Sequence, residues 1–228
     1  MSVKGLLFDF NGTLFFDSDC HIEAFNRCFE IYNVKKLDRP FMINNIFGRT
    51  NEAIFKAHYR PNATDSETAQ FAAIKEKAYM DICLATPEKL KLCDGAEDMF
   101  DYLKEHSIPY CIATGSPPEN VEFYFEHLGL GRWFTYENIV YTDGTFVGKP
   151  APDCYRLAAA RLGLRAEDCA IFEDGTSGIL AANAAGAEKV IGIWEEGLPS
   201  PLTDTTHVDE IHHDLSDWKG ILSRLGLC

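Results

Sequence analysis

The sequence has little positive charge for its content of acidic residues. Lysine and arginine number 21, whereas aspartate and glutamate number 35, which gives a formal net charge of −14. A chain this acidic repels the phosphates of nucleic acids and the anionic face of a membrane, so we expect neither as a partner. A small phosphorylated molecule stays compatible, because a metal ion and one lysine can reverse the potential inside a cleft.

The sequence also lacks closely spaced cysteine pairs and a long apolar run, and we expect no signal peptide. None of its 8 cysteines forms a C-x-x-C pattern, which favours the buried, reduced thiols of a cytoplasmic protein. Residues 1–5 lead into a strand-like run without the apolar core of a signal peptide. No apolar run approaches the roughly 18 residues of a membrane span. No unmatched apolar stripe stands out, and we expect a cytoplasmic monomer.

The first part of the chain changes from a strand pattern to a helical one. Residues 3–9 form an apolar run that leads into the loop signal at residues 9–13 (DFNGT), which is typical of a buried strand. Helices are then predicted at residues 21–34, 51–58 and 66–85, with an N-cap at Asp65 for the last.

After residue 92, helices and strands alternate. Strands are predicted at residues 109–113, 138–141, 169–172 and 189–193. Helices are predicted at residues 96–106, 119–128, 152–162 and 177–185, and a loop with one last helix at residues 197–228. This alternation predicts an α/β fold with a Rossmann-like parallel sheet and helices on both faces. We expect a core domain of residues 1–16 and 92–228, with a small α-helical domain of residues 17–91 inserted after the first strand.

Polar residues stand at the predicted carboxyl ends of the strands. They are Asp9 and Asn11, then Thr114, then Lys149 in the loop after the third strand, then Glu173 and Asp174. In an open parallel sheet, a ligand binds beyond the carboxyl ends of the strands. The fold therefore predicts that these residues line one cleft.

Two carboxylates of this set suit metal-assisted chemistry. Asp9 and Asp174 can hold a hard divalent cation such as Mg²⁺, which prefers a few carboxylates together with water and substrate phosphate. A carboxylate such as Asp9 can also attack phosphorus and form an aspartyl-phosphate. In the simpler interpretation, both residues are N-cap carboxylates at strand-to-helix turns.

The other residues of the set suit phosphate. Thr114 offers a hydroxyl group, and Gly115 and Ser116 offer backbone N–H groups at a predicted helix N-terminus. Lys149 supplies a positive charge for a transferring phosphoryl group. Phosphoryl transfer needs mainly positioning and charge neutralisation, and these residues provide both.

Four segments carry a resemblance to a known superfamily. They are residues 9–13 (DFNGT), 113–116 (ATGS), 148–153 (GKPAPD) and 172–178 (FEDGTSG). In this order they resemble the four motifs of the haloacid dehalogenase superfamily. The helical insert resembles the small cap domain of the β-phosphoglucomutase and phosphoglycolate phosphatase branch. The resemblance implies a Mg²⁺-dependent phosphatase of small phosphorylated metabolites that works through an aspartyl-phosphate.

The resemblance also implies a role for each site residue. Asp9 is the implied nucleophile. The implied Mg²⁺ ligands are Asp9, the backbone carbonyl of Asn11 and Asp174, supported by Glu173. The implied contacts of the phosphoryl group are Thr114 and Lys149.

Asn11 departs from the superfamily pattern. The phosphatases and mutases usually have an aspartate there, which protonates the leaving group and then activates water, and an amide cannot exchange a proton in this way. A positioned acid or base typically contributes ~10²–10⁴-fold. Three explanations stay open. The chain turns over slowly except on good leaving groups, or His21, Asp17 or Asp19 supplies the proton, or Asn11 is an introduced substitution for aspartate.

Other branches of the superfamily fit less well. The dehalogenase branch works without metal and lacks the paired acids that this chain has at Glu173 and Asp174. The phosphonate-cleaving branch needs a cap lysine, and nothing marks Lys35 or Lys56 for that role.

The helical insert bears on the choice between phosphatase and mutase. His21 falls where the mutase branch has a histidine, and we expect it to contact the substrate. Residues 47–51 (FGRTN) stand where that branch has Lys-Gly-x-Ser-Arg. Arg49 can partly substitute by contacting a substrate phosphate or carboxylate. The missing lysine and arginine favour a phosphatase. The alternatives are a phosphosugar mutase like β-phosphoglucomutase, or a catalytically impaired phosphometabolite-binding protein.

Two further features receive a structural interpretation. The pair His212 and His213 lies in a polar tail with no third ligand nearby, so we expect solvated side chains and not a metal site. The aromatic residues Phe123, Tyr124 and Phe125 are predicted to supply core packing and one exposed tyrosine, and not a base-stacking platform.

Overall fold

The chain forms two compact units in the computed structural model, which describes residues 2–39, 41–42, 46, 50–194 and 206–228. An α/β unit comprises Met1–Phe16 and Lys91–Cys228, and a helical unit comprises Asp17–Leu90. Among the described residues, no helix combines the length and the apolar character that crossing a bilayer requires.

The described part of the chain contains six strands and eight α-helices. The strands are β1 (Gly5–Phe8), β2 (Tyr110–Ala113), β3 (Ile139–Val140), β4 (Cys169–Glu173), β5 (Lys189–Ile193) and β6 (Glu210–His212). The helices are α1 (Ser18–Ile31), α2 (Asn51–His58), α3 (Asp65–Ala85), α4 (Ala96–Glu105), α5 (Pro118–His127), α6 (Asp153–Arg161), α7 (Thr176–Ala185) and α8 (Trp218–Leu225). Short 3₁₀ helices cover Leu130–Arg132, Tyr136–Asn138 and Ala166–Asp168.

The α/β unit is built on one parallel sheet. Its strands lie in the order β3-β2-β1-β4-β5-β6, and each neighbouring pair is parallel. Leu7 of β1 pairs with Cys111 of β2 on one side and with Ile171 of β4 on the other. This topology confirms the predicted α/β fold with a Rossmann-like parallel sheet. It brings the carboxyl ends of β1, β2 and β4 to the same edge.

Helices pack on both faces of the sheet, because its inner strands β1, β2 and β4 are buried at every residue. On one face, Phe8 stacks on Phe172 with ring centroids 4.6 Å apart, and Phe100 of α4 packs edge-on against Phe8 at 5.3 Å. On the other face, Leu7 and Ile171 share a buried cluster with side chains of α6 and α7. Strands that are buried on both faces read as continuous apolar runs, which makes them predictable from sequence.

The tail of the chain contains a strand that the sequence analysis missed. β6 pairs with β5, with Ile211 opposite Gly192. Its three residues include only one apolar side chain and lie at the edge of the sheet, so no apolar run marks it. The prediction of a solvated side chain is wrong for His212. That side chain is 18% exposed, and its Nε2 lies 3.1 Å from Oε2 of Glu210.

The helical unit packs α1, α2 and α3 around an aromatic core. Within it, Phe55 and Phe71 stack with ring centroids 4.7 Å apart. α3 begins after Thr64, whose hydroxyl oxygen accepts from the backbone N–H of Glu67. The Glu67 carboxylate accepts in return from the backbone N–H of Thr64. This reciprocal capping box corrects the predicted N-cap at Asp65.

Candidate active site

Asp9 follows β1 directly and begins a tight turn. Its backbone N–H donates to the carbonyl oxygen of Phe172 at 2.9 Å, which continues the pairing of β1 with β4. The turn closes where the N–H of Gly12 donates to the carbonyl oxygen of Phe15 at 2.8 Å. Gly12 has a φ of +81°, a conformation that favours glycine. Sheet and turn together hold the buried Asp9 carboxylate at the tip of β1.

Lys149 pairs with two carboxylates at this edge. Its Nζ donates to Asp9 and, at 2.5 Å, to Oε1 of Glu173. The hydroxyl of Tyr155 on α6 donates to the same Glu173 oxygen at 2.8 Å. The lysine Nζ also lies over the Tyr155 ring, 4.9 Å from its centroid. The fold therefore brings together a loop lysine and acids from the ends of β1 and β4.

Glu173 and Asp174 stand at the end of β4. Oε2 of Glu173 accepts from the backbone N–H groups of Asp174 at 2.9 Å and Gly175 at 3.0 Å. The Thr13 hydroxyl donates to Oδ1 of Asp174 at 3.1 Å, which links the end of β4 to the turn after β1. Both oxygens of Glu173 therefore accept hydrogen bonds, and its side chain is held in one orientation.

Asp9, Glu173 and Asp174 form an acidic cluster. One carboxylate oxygen of each residue lies within 4.8 Å of the other two. The one positive charge of Lys149 cannot neutralise three carboxylates. Carboxylate oxygens at this spacing are the ligand atoms that Mg²⁺ and similar hard cations prefer. The residues present therefore fit a divalent metal ion.

Burial and the crowding of like charges raise pKa values within the acidic cluster. Burial raises the pKa of Asp9 to about 7, with Lys149 opposing the rise and Glu173 adding to it. Burial, followed by the charges of Glu173 and Asp9, holds the pKa of Asp174 well above its usual range. Burial alone would lower the pKa of Lys149, but Asp9 and Glu173 raise it above its ordinary value. A bound cation would favour the ionised form of both aspartates.

The end of β2 contributes two hydroxyl groups. The Ser116 hydroxyl donates to Oδ1 of Asn11 at 2.7 Å, and the Thr114 hydroxyl lies 3.5 Å from the same oxygen. The backbone N–H of Ser116 donates to Oγ1 of Thr114 at 3.0 Å, so the N–H predicted to contact phosphate has an internal partner. Apart from its chain neighbours, no described atom lies within 4 Å of a Cβ built on Gly115. A ligand can therefore approach this backbone closely.

Tyr124 of α5 is a residue of this region that the sequence analysis missed. The prediction of an exposed tyrosine is wrong, because Tyr124 is 1% exposed. Its hydroxyl oxygen accepts from Nδ2 of Asn11 at 2.7 Å and lies 3.3 Å from Oγ of Ser116. The sequence did contain a signal for its burial, because Val121, Tyr124 and Leu128 are spaced so that they share one apolar face of a helix.

His21, the predicted substrate contact on α1, has partners within the helical unit. Its ring stacks on Tyr79 with centroids 4.1 Å apart. Nε2 lies 3.2 Å from Oδ2 of Asp17, and Nδ1 lies 2.9 Å from Nζ of Lys75. Because an ammonium group only donates, Nδ1 accepts from Lys75 and Nε2 carries the proton directed at Asp17.

Two other residues of the helical unit were predicted to take part in the reaction, Asp19 as a proton donor and Arg49 as a substrate contact. Asp19 pairs with Arg39 and, at 3.1 Å, with Lys89, and its side chain is 48% exposed. Asp19 is therefore a salt-bridged surface residue. Arg49 lies outside the described residues, as does part of the 47–51 segment that was compared with the mutase pattern.

Comparison with known proteins identifies the family. The family model of haloacid dehalogenase-like hydrolases matches residues 3–186. The chain belongs to this family. The hydrolase is 30% identical to "Fructose-1-phosphate phosphatase YqaB" of Escherichia coli (strain K12), over 82% of the chain and 94% of that protein. It is 34% identical to "Probable pseudouridine-5'-phosphatase" of Drosophila melanogaster, over 57% of the chain and 56% of that protein.

Solved structures agree with this family. A haloacid dehalogenase (HAD) hydrolase, family IA, variant 3, from Entamoeba histolytica superposes with a TM-score of 0.87 at 32% identity, over 98% of this chain and 100% of that one. A β-phosphoglucomutase from Clostridium difficile superposes with a TM-score of 0.79, over 98% of this chain and 97% of that one. At 16% identity, the second likeness shows the fold alone. The predicted superfamily is confirmed, and the chain is an enzyme of the hydrolase type.

Proposed function

We propose that this hydrolase is a Mg²⁺-dependent phosphatase of small phosphorylated metabolites that works through an aspartyl-phosphate on Asp9. The acidic cluster carries the proposal, with one oxygen each of Asp9, Glu173 and Asp174 within 4.8 Å of the other two. Lys149 pairs with Asp9 and puts a positive charge beside the attacking group. The relatives support the same chemistry, since the Escherichia coli protein is named a fructose-1-phosphate phosphatase.

Asp9 and Asp174 would hold the Mg²⁺ ion together with the backbone carbonyl of Asn11. When bound, the ion would neutralise these carboxylates and polarise a phosphoryl oxygen. Glu173 suits a supporting role, because Lys149, a tyrosine hydroxyl and two backbone N–H groups already donate to its carboxylate.

The residues of the chain have separate parts in moving the phosphoryl group. The Asp9 carboxylate attacks phosphorus, the bond to the leaving oxygen breaks, and Asp9 carries the phosphoryl group. Lys149, the Thr114 hydroxyl and the backbone N–H of Gly115 bind phosphoryl oxygens and offset their charge. Water then attacks the aspartyl-phosphate and releases phosphate, which frees Asp9 for the next cycle.

Asn11 limits the two proton transfers of this reaction. Its amide neither protonates the leaving oxygen nor takes a proton from water, which removes a contribution of ~10²–10⁴-fold. That loss corresponds to about 3–5 kcal/mol of barrier. We expect rapid phosphorylation of Asp9 only by substrates whose leaving group departs as a stable anion. The second candidate function is a phosphometabolite-binding protein. It is supported by the Asn11 amide, which cannot exchange a proton and whose nitrogen and oxygen are each hydrogen-bonded to a hydroxyl group at 2.7 Å.

Phosphate release from a substrate panel tests the proposal. The panel compares aryl and acyl phosphates with sugar phosphates, in Mg²⁺ and in EDTA, for the native chain, Asp9→Asn and Asp174→Asn. Asp168→Asn is the matched control, because Asp168 stands just before β4 and Asp174 stands just after it. We expect Mg²⁺-dependent release by the native chain and by the control, and none above background for the two site variants.

Other outcomes would point elsewhere. Release that persists in EDTA or in Asp9→Asn would overturn the proposal, as would the absence of a beryllofluoride adduct on Asp9 in Mg²⁺. Isomerised sugar phosphate with little free phosphate would indicate a mutase. Binding of sugar phosphates without release from any substrate, in both the native chain and Asn11→Asp, would support the binding protein. Substitutions of His21 and Arg49 in the same panel would test their predicted contacts with substrate.

A further inference from the structure

Three side chains of the α/β unit form a closed ring of hydrogen bonds. The Ser116 hydroxyl donates to Oδ1 of Asn11 at 2.7 Å, and Nδ2 of Asn11 donates to the Tyr124 hydroxyl oxygen at 2.7 Å. The two hydroxyl oxygens lie 3.3 Å apart. Because the Ser116 proton is directed at Asn11, Tyr124 is the donor in this last contact. Within the ring, each group gives one hydrogen bond and accepts one.

Tyr124 also supports the turn that carries the nucleophile. Its ring stacks on Phe10 with centroids 4.4 Å apart and 25° between the planes, and it packs edge-on against Phe15 at 6.1 Å. All three rings are buried. The turn from Asp9 to Phe15 therefore contacts α5 through two aromatic rings and, at Asn11, through a hydrogen bond.

We propose that Tyr124 is a positioning residue of the phosphatase reaction, which holds the Asn11 amide in one orientation and fixes the turn on which Asp9 stands. This inference rests on the proposed function. Since the Asn11 amide cannot exchange a proton, its contribution is geometric and depends on being held still. A displacement of ~1 Å in a reacting group can lower a rate by ~10²-fold. A polar network in which every member is satisfied resists such a displacement.

Tyr124→Phe tests the hydrogen bonds while it keeps both ring contacts. We expect kcat for p-nitrophenyl phosphate in Mg²⁺ to fall by ~10–100-fold. KM should change by less than about threefold, because the phosphate contacts Thr114 and Lys149 are untouched. Tyr110→Phe is the matched control. It removes another buried hydroxyl of the same unit, which donates to the carbonyl oxygen of Trp133 at 3.0 Å, and it should leave kcat unchanged.

Ser116→Ala tests whether the ring acts as a unit. If it does, Tyr124→Phe and Ser116→Ala each break the ring, and the double variant loses little more kcat than either single variant. Residues that act independently would give losses that multiply. The unfolding temperatures of the native chain, the two single variants and the double variant are measured as well. If the ring acts as a unit, their shifts are non-additive whether or not the chain turns over substrate.

These measurements separate the inference from the proposed function. A native chain that releases no phosphate contradicts the proposed function. The shifts in unfolding temperature then show whether the three side chains of the ring act as a unit. Additive shifts overturn it and non-additive shifts support it. In an active chain, the inference is overturned if Tyr124→Phe keeps kcat within about twofold of native. Losses that multiply, or an equal loss in Tyr110→Phe, would also overturn it.

Discussion

A Cβ atom built on Gly178 would lie 1.6 Å from Oε1 of Glu173, so the Glu173 side chain packs against the bare backbone of this glycine. Gly178 belongs to the first turn of α7, and any larger residue there would occupy the space of the carboxylate. The same Glu173 oxygen accepts from Lys149 at 2.5 Å. The position of the site lysine therefore depends on a glycine of a neighbouring helix.

Gly178→Ala is expected to displace Glu173 and to loosen Lys149. We expect phosphatase activity to fall by ~10–100-fold, as typical for a misplaced charged group. Gly175→Ala is the matched control, because a Cβ there would lie 3.8 Å from Oε2 of Glu173, an ordinary contact distance. Steady-state kinetics of both variants measure the difference, and equal activities would contradict the dependence on Gly178.

Gly12→Ala is expected to disturb Asp174 as well as the backbone. Its Cβ would lie 2.2 Å from Oδ2 of Asp174, and its φ is +81°. Gly163→Ala isolates the backbone effect, because Gly163 has a φ of +71° and no described atom beyond its chain neighbours lies within 4 Å of a Cβ there. Each variant should lose about 1–2 kcal/mol of unfolding free energy from the left-handed backbone.

The two glycine variants should differ in the response to metal. Only Gly12→Ala is expected to raise the Mg²⁺ concentration at which activity is half-maximal, since only its new methyl group contacts an acid of the acidic cluster. A titration of activity with Mg²⁺ compares both variants with the native chain. The same midpoint in all three would argue against Asp174 as a metal ligand.

Asn11→Asp is expected to restore a group that can exchange a proton. The gain should be ~10²–10⁴-fold for sugar phosphates, whose leaving groups need a proton, and small for acyl phosphates. A plot of log kcat/KM against leaving-group pKa should therefore be steep for the native chain and shallow for the variant. Asn62→Asp adds the same charge at an exposed position and serves as the control. Parallel plots would show that another residue already supplies the proton.

Asp209 should make the stability of the fold depend on pH. Its Oδ1 accepts from Nζ of Lys189 at 2.7 Å, and its Oδ2 accepts from the backbone N–H of Val190 at 2.8 Å. Partial burial alone would raise the pKa of Asp209, but these hydrogen bonds and the lysine charge lower it below its usual value. A lowered pKa stabilises the fold above the unfolded value of about 3.9. That stabilisation is lost as the pH falls through the folded value.

The free energy of unfolding of Asp209→Asn should therefore be about 1–2 kcal/mol lower than that of the native chain near neutral pH. The difference should shrink below about pH 4, where the native carboxyl takes up a proton. Denaturant unfolding of both proteins across this range measures it. Asp98→Asn, an exposed position, is the control for the change in net charge. A difference that stays constant with pH would contradict the role of the ionised carboxylate.

The sequence by itself determined the strands and helices that contain their own hydrophobic pattern, either an apolar run or a helical period. The strand at residues 189–193 and the helix at residues 51–58 have the predicted bounds, because an apolar run and a helical period are local properties. β6 was not predictable in this way, because an edge strand of three residues needs its neighbour β5 to make it a strand. The start of α3 was displaced by one residue, since Thr64 and Asp65 are both good caps and only the reciprocal bond with Glu67 selects Thr64.

For the site, the sequence determined which acids stand at the ends of strands, and the parallel topology brings Asp9 and Asp174 to one edge. Only the tertiary structure decided which side chains contact one another across the chain. Lys149 pairs with Asp9 over 140 positions, and Tyr124 bonds Asn11 over 113. Contacts at such separations leave no local periodicity, because they arise when distant strand ends and helices are packed together.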